Sequence, residues 1–334
     1  MPLIWVLTGG KTGDNAQVLR AARAMDLPFE VKRIVLRPEF ETAKPKVEPS
    51  LHIVELAASD TFSPPWPDLV ITIGRRLSLA ALWIKQQSGG KTRIALFNAP
   101  KGRAADFDLV VVPAYYSFPD GPGVCRIGLP LIAADPARVN KARQDFASTF
   151  EDLLRPLHVL LLGGDMGARR LDAGFVTKTL RRMQEGFARD GSIYVSTSRR
   201  TPADAAEAVA RALRPQDRLY RWREGAADNP YFGLLAHGDS FTVTADSLSM
   251  LTEVARLGRP LAIAEPPEQV SLWRRLARPF LRPGSRDLGA AADFLIRGGH
   301  AIRLGESLPQ ASLPPADDTP KVVERLRRIA LHGD

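Results

Sequence analysis

The hydrophobic positions of this chain fall in short continuous runs rather than in strict alternation. Leu69-Val70-Ile71-Thr72-Ile73 and Leu109-Val110-Val111-Val112 are examples. Continuous runs of this length suit strands covered on both faces, as in a parallel sheet. In the first half the pattern predicts strands at 3–8, 29–36, 51–55, 68–73, 93–97 and 108–112, with helices at 14–25 and 76–88. Residues 135–155 read as a helix and a connection, and Pro156 ends them. A second series follows, with strands at 157–162, 192–196, 218–222, 240–244 and 260–264. Helices near 171–188, 202–213, 230–237 and 247–257 separate them. Alternating β and α elements predict doubly wound sheets. The expected fold class is therefore α/β, with two Rossmann-like domains facing across a cleft. Their expected bounds are 1–150 and 151–310, followed by a linker and helix at 311–334. In that helix Val322, Val323, Leu326, Ile329 and Leu331 form an apolar stripe, which suits docking on either domain or capping the chain end.

The two series open alike. "LIWVLTGGKTG" and "HVLLLGGDMG" are both apolar strands that empty into a Gly-Gly turn. In open α/β sheets ligands bind at the carboxyl ends of the strands, so each turn is a candidate site. The letters Gly10-Lys11-Thr12 suggest a triphosphate loop, but that loop needs a glycine five positions before its second glycine. Trp5 stands there, and Lys85 stands at the same place before Gly90-Lys91-Thr92. What remains at residues 9–13 is either an anion-binding strand-to-helix turn or a plain tight turn.

Composition narrows the partners. The chain has 334 residues, 45% of them hydrophobic, and a formal net charge of +9. That charge favours an anionic partner. No zinc spacing, RNA-binding signature or aromatic-studded basic strand is present, so nucleic acid is not expected. No apolar run approaches the roughly 20 residues of a membrane span, and the N-terminus lacks a signal-peptide pattern. The single cysteine, Cys125, excludes a disulfide framework. These features lead us to expect a cytoplasmic protein.

The strongest local chemistry lies in "TADSLSMLTEVARLGRP", Thr244 to Pro260. Asp246 or Ser247 can cap a helix that ends at Gly258. Helix spacing puts Ser249 and Glu253 on one face near its positive end. Hydroxyls and free amides there suit a diphosphate, and a carboxylate one turn on suits the paired hydroxyls of a ribose. An ordinary capped helix with a solvated Glu253 accounts for the same letters.

This stretch resembles the donor-nucleotide motif of GT-B glycosyltransferases. More closely, "GGKTGDNAQ" at 9–17, "GRR" at 74–76, "FDLVVVP" at 107–113, "GGD" at 163–165, "STSRRTP" at 196–202, "DNPYFGLLAHGDSFTVTADSLSMLTEV" at 228–254 and "GRP" at 258–260 together resemble the mitochondrial-fission Elm-type family. The resemblance implies a GT-B-like transferase that moves a sugar from a nucleotide-sugar donor to a cell-envelope glycolipid or another lipid-linked acceptor. Under it, Gly163, Gly164 and Asp165 form the donor-side turn. Ser198 and Arg199 face the diphosphate, and Asn229 and Tyr231 frame the base. Thr244, Asp246, Ser247, Ser249 and Glu253 hold phosphate and ribose. Gly9, Gly10, Lys11, Gly13, Asn15, Gln17 and Arg75 line the acceptor side. Asp14 is the candidate general base there, a helix N-cap being the structural alternative. No Asp-x-Asp dyad is expected in the chain, so the expected transfer uses no metal and no cofactor, the nucleotide sugar being a substrate.

The stretch "WRRLARPFLRPGSR", 273–286, intersperses Trp273, Leu276, Phe280 and Leu281 with arginines. Such a segment suits either an anionic membrane surface, with the protein peripheral on the inner face, or an ordinary packed helix. The rival to an enzyme is a catalytically silent glycosyltransferase-like scaffold acting at membranes. A nucleotide-sugar epimerase working by hydride chemistry lacks its Tyr-x-x-x-Lys pair and Gly-x-Gly-x-x-Gly turn.

Overall fold

The structure, a computed structural model, describes residues 1–41, 43, 45–100, 103–165, 169–267 and 288–331. The stretch 273–286, read above as a candidate membrane segment, lies outside the described residues.

The chain forms two compact units. The first contains β1 (Ile4–Thr8), α1 (Thr12–Ala24), β2 (Glu30–Arg33), β3 (Leu69–Ile73), α2 (Gly74–Gln87), β4 (Arg93–Phe97), β5 (Leu109–Pro113) and β6 (Val124–Ile127). All six strands are parallel, in the order β2-β1-β3-β4-β5-β6. Every position of β1, β3 and β5 is buried, as the continuous apolar runs required. The edge strand β2 instead carries Glu30, Lys32 and Arg33, charges that discourage pairing with another chain. The order reverses between β1 and β3, and this unit's crevice opens at their carboxyl ends.

Two local expectations change. Residues 51–55 are no strand. Leu36 and Val54 form one isolated bridge, and a short 3-10 turn at Leu56–Ala58 follows. Ile53 and Val54 are buried all the same, so this run packs into the core without a neighbouring strand. Conversely β6 is a strand, although Val124-Cys125-Arg126-Ile127 is too short and too mixed to signal one. Gly90-Lys91-Thr92 is the exit from α2. Gly89 and Gly90 take φ of +65° and +82°, the left-handed conformation that ends helices.

The second unit contains α3 (Pro136–Asp145), α4 (Ala147–Phe150), β7 (Leu157–Leu161), α5 (Ala173–Glu185), β8 (Ser192–Ser196), α6 (Ala203–Ala212), β9 (Arg218–Tyr220), α7 (Tyr231–His237), β10 (Ser240–Thr244), α8 (Leu248–Arg256), β11 (Leu261–Ala264), α9 (Leu288–Arg297) and β12 (Ile302–Arg303). Its strands are again all parallel, in the order β12-β11-β10-β7-β8-β9. The reversal here falls between β7 and β10.

The boundary between the units lies at Ile132/Ala133, not at 150. α3 belongs with the second unit because it packs on α7. Phe146 sits against Gly233, where an added Cβ would come within 2.8 Å of the Phe146 Cβ, and Arg143 O lies 2.9 Å from His237 Nε2. The chain end returns to the first unit as α10 (Thr319–Leu331). Val322 and Leu326 are fully buried in the first unit's core. Arg327 Nε donates to Met25 O at 2.8 Å, and the Arg93 guanidinium to Ile329 O at 2.9 Å.

Candidate functional site

In the second unit the switch point is closed by side chains the sequence reading gave to the donor. Gly163 N donates to Thr244 Oγ1, and Gly164 N to Asp246 Oδ2, both at 2.8 Å. The Asp246 side chain is fully buried, and the Arg200 guanidinium donates to the same oxygen at 2.9 Å. Ser198 Oγ and Thr201 Oγ1 both donate to Gly163 O, at 2.9 and 2.6 Å. Three segments from the ends of β7, β8 and β10 are thereby tied together. The glycines are what permits this. A Cβ on Gly163 would lie 2.1 Å from Asp246 Oδ2, and one on Gly164 would lie 2.1 Å from the Arg200 carbonyl oxygen.

This changes several expected roles. Gly163, Gly164, Ser198, Thr244 and Asp246 are engaged with one another. Asp165 closes its own loop through Leu171 N at 2.9 Å and Arg170 at 2.7 Å. Those bonds, that of the Leu171 amide first, hold its carboxyl below the usual range. Asn229, one residue before the N-cap Pro230 of α7, accepts from Tyr231 N at 3.1 Å.

Asp246 keeps its buried Oδ1 without a hydrogen bond among the described residues, and Ser247, Ser249, Arg199 and Glu253 also keep groups open. Ser247 stands at the N-cap of α8 with no side-chain capping hydrogen bond. The first backbone bond of that helix runs from Leu251 N to Ser247 O, so the amides of Leu248, Ser249 and Met250 lack an intrahelical acceptor. Ser249 is half-buried. Arg199 is exposed at the turn after β8 and has no ion pair among the described residues. Glu253, one turn into α8, accepts from the Tyr231 hydroxyl at 2.5 Å through Oε2. Burial pushes the Glu253 carboxyl above the usual range, opposed by the Tyr231 hydrogen bond and the Arg138 charge. Burial, with Glu253 beside it, pushes the Tyr231 phenol well above its ordinary value. Arg138 itself lies over the Phe232 ring, 3.9 Å from its centroid.

In the first unit a cavity of about 380 Å³ opens at the β1/β3 reversal. Gly9, Gly10, Lys11, Asp14, Asn15 and Arg75 line it, together with Leu36, Arg76, Asn98 and Tyr116. Asn15 grips the turn at both ends of one residue. Its Oδ1 accepts from Gly9 N at 2.9 Å and its Nδ2 donates to Gly9 O at 2.7 Å. Two part-buried bonds of this kind contribute about 1 kcal/mol each. Asn15→Ala is therefore expected to lower stability by about 2 kcal/mol, read as a shifted urea midpoint.

Gly13 and Gln17 do not line the cavity. Gln17 is buried in α1 and turns back toward Gly13 O at 3.4 Å. Asp14 is not the N-cap. Lys11 holds that position, and Asp14 lies in the first turn, 4.0 Å from Lys11 Nζ. Asn98 was missed by the sequence reading. It follows the strand run 93–97 directly and takes φ +72°, uncommon for a residue with a side chain and a pointer to function. An Asp-x-Asp does occur in the first half, at Asp106-Phe107-Asp108, but its carboxylates are in use. Asp106 pairs with Arg103, and Asp108 with Lys85 Nζ at 2.8 Å and Ile94 N at 2.8 Å.

The sequence model of the family described as mitochondrial fission ELM1 matches residues 12–329. The chain belongs to this family. The mitochondrial fission protein ELM1 of Arabidopsis thaliana is 25% identical over 304 residues, 84% of this chain and 68% of the plant protein. Among solved structures, the ELM1-family chain resembles the UDP co-structure of S. aureus MnaA, with a TM-score of 0.51, 11% identity and coverage of 98% and 96% of the two chains. A glycosyltransferase from Rickettsia africae matches with a TM-score of 0.50 at 10% identity, over 99% of each chain. These likenesses establish a GT-B-like fold of two Rossmann-type units. Among the described residues no helix is long and apolar enough to cross a membrane.

Proposed function

We propose that this protein is a metal-independent glycosyltransferase that moves a sugar from a nucleotide-sugar donor to a cell-envelope glycolipid or another lipid-linked acceptor. The observation that carries the reading is the start of α8, where uncapped amides, Ser247 and Ser249 stand one turn before the half-buried Glu253. A helix N-terminus favours a diphosphate, and a carboxylate suits the two hydroxyls of a ribose. The MnaA structure, a UDP complex, supports a nucleotide partner for this fold.

In the proposed reaction the acceptor hydroxyl attacks the anomeric carbon, and Asp14 takes its proton. The bond from that carbon to the diphosphate breaks, and the nucleoside diphosphate leaves with the electron pair. Arg199 and the α8 amides stabilise the leaving charge without a metal. Tyr231 acts through Glu253 and is a positioning residue.

Calorimetric titration with UDP-, GDP-, ADP- and CMP-sugars, each with and without EDTA, tests the reading. One nucleotide is expected to bind in the millimolar range or tighter, unaffected by EDTA. If none binds and Glu253→Ala changes no cellular phenotype, the enzyme reading is lost. The name of the Arabidopsis relative favours a second reading, a catalytically silent scaffold acting at membranes in fission or division. Full cellular function in a Glu253→Ala, Arg199→Gln double variant would select it.

A further inference from the structure

We infer that the cavity of the first unit is a phosphate site, so that the acceptor in the reaction proposed above carries a phosphate group; the word acceptor rests on that proposal, the phosphate site does not. Three cations, Lys11, Arg75 and Arg76, line the cavity against one carboxylate, Asp14. Lys11 keeps 63% of its side chain exposed, and its ion pair to Asp14 is long, at 4.0 Å. Arg76 is held at the wall by its Nε, which donates to Ala43 O at 3.1 Å.

Two helices begin on this wall, α1 with 13 residues and α2 with 14, and neither has a side-chain cap. Asn15, a residue type suited to capping, is turned onto Gly9 instead. Both helices therefore bring uncompensated first-turn amides to a place already rich in cations. Gly74, at φ +73°, lets β3 run directly into α2.

The two Gly-Gly turns also differ in what the glycines are for. At Gly163 and Gly164 an added Cβ would collide with Asp246 and Arg200, whereas at Gly10 it would meet nothing within 4 Å. The first turn therefore borders open space. A neutral sugar brings no charge to set against three cations and one carboxylate, while a phosphate, with three acceptor oxygens and up to two charges, would engage both the cations and the helix ends. Asn98, whose side chain has no hydrogen bond among the described residues, adds a neutral group for a hydroxyl or amide beside the phosphate.

The test is calorimetry on the full chain with UDP present at saturation, titrating inorganic pyrophosphate, glucose 1-phosphate, geranyl diphosphate and, as a carboxylate control, glucuronate. Pyrophosphate is expected to bind, with affinity falling about tenfold in each of Lys11→Gln and Arg75→Gln, the loss of one charge-assisted contact. It should be unchanged in Arg199→Gln. Circular dichroism confirms that the variants fold. Tighter binding of geranyl diphosphate than of glucose 1-phosphate identifies a lipid phosphate, and the reverse order a soluble one. The inference is overturned if pyrophosphate does not bind, if the Lys11→Gln/Arg75→Gln double variant binds it unchanged, or if glucuronate binds as tightly as glucose 1-phosphate. A chain that fails to bind UDP but passes these arms loses the donor reading and keeps the phosphate site.

Discussion

Gly164→Ala is expected to lower the stability of the second unit by about 3 kcal/mol, the upper end of the usual range for overpacking. The methyl group would lie 2.1 Å from the Arg200 carbonyl oxygen, which is backbone and cannot rotate away as a side-chain tip can. To relieve the clash, the 163–164 turn must separate from the 198–201 turn. That separation breaks the bond from Gly164 N to Asp246 and the two bonds that Ser198 and Thr201 make to Gly163 O. Gly10→Ala in the other unit is the matched control, since its Cβ meets nothing, and should stay within about 1 kcal/mol of wild type. Thermal and urea unfolding of both variants give the comparison. Equal stabilities would mean that the three-segment linkage does not hold the switch point. Asp246→Ala is expected to reproduce the Gly164→Ala loss. It strands a buried amide and removes the partner of Arg200, whose own partial exposure moderates the effect.

The second large effect concerns Glu253. If it holds the ribose, Glu253→Gln should weaken nucleotide binding at least tenfold at neutral pH, because a hydrogen bond to a charged acceptor becomes one to a neutral amide. The raised carboxyl adds a pH signature. Below its raised value Glu253 is protonated and accepts poorly, so nucleotide affinity should rise as pH climbs through that raised value. In Glu253→Gln that rise should be absent. Stability runs the opposite way. A carboxyl whose folded value lies above its unfolded one binds protons more tightly when folded, so this contribution is full at low pH and is lost as pH rises through the folded value. Tyr231→Phe removes the hydrogen bond that lowers the Glu253 value, and should move the pH midpoint of binding upward while leaving affinity at high pH much less altered. Titrations of the three proteins across pH, with parallel unfolding curves, separate the two trends. An affinity that is flat with pH in wild type would remove Glu253 from the nucleotide site.

Much of the fold was legible in the letters. Strands such as Leu69–Ile73 and Leu157–Leu161 are long enough, apolar enough and continuous enough that only a doubly covered sheet buries them. The element 51–55 misled because burial of Ile53 and Val54 needs only a packed surface, whereas a strand also needs a neighbour with unpaired backbone. The strand at Val124–Ile127 was hidden for the complementary reason. β5 supplies its hydrogen-bond partner, and nothing in four mixed residues announces that.

At the site the sequence determined which residue types gather at the carboxyl ends of the strands, because chain order and strand position follow from local pattern. It could not determine which of them face each other and which face outward. Thr244, Asp246 and Ser198 have the same hydrogen-bonding groups as Ser249 and Glu253, and read in one dimension they are equally suited to phosphate or ribose. Only the tertiary structure brings Gly163 and Gly164 within reach of Thr244 and Asp246 and so engages Thr244 Oγ1 and Asp246 Oδ2. It likewise assigns two chemically identical Gly-Gly turns to opposite tasks, close packing at 163–164 and open space at Gly10. A glycine's lack of a side chain permits both, and the neighbours that decide between them lie far away in sequence.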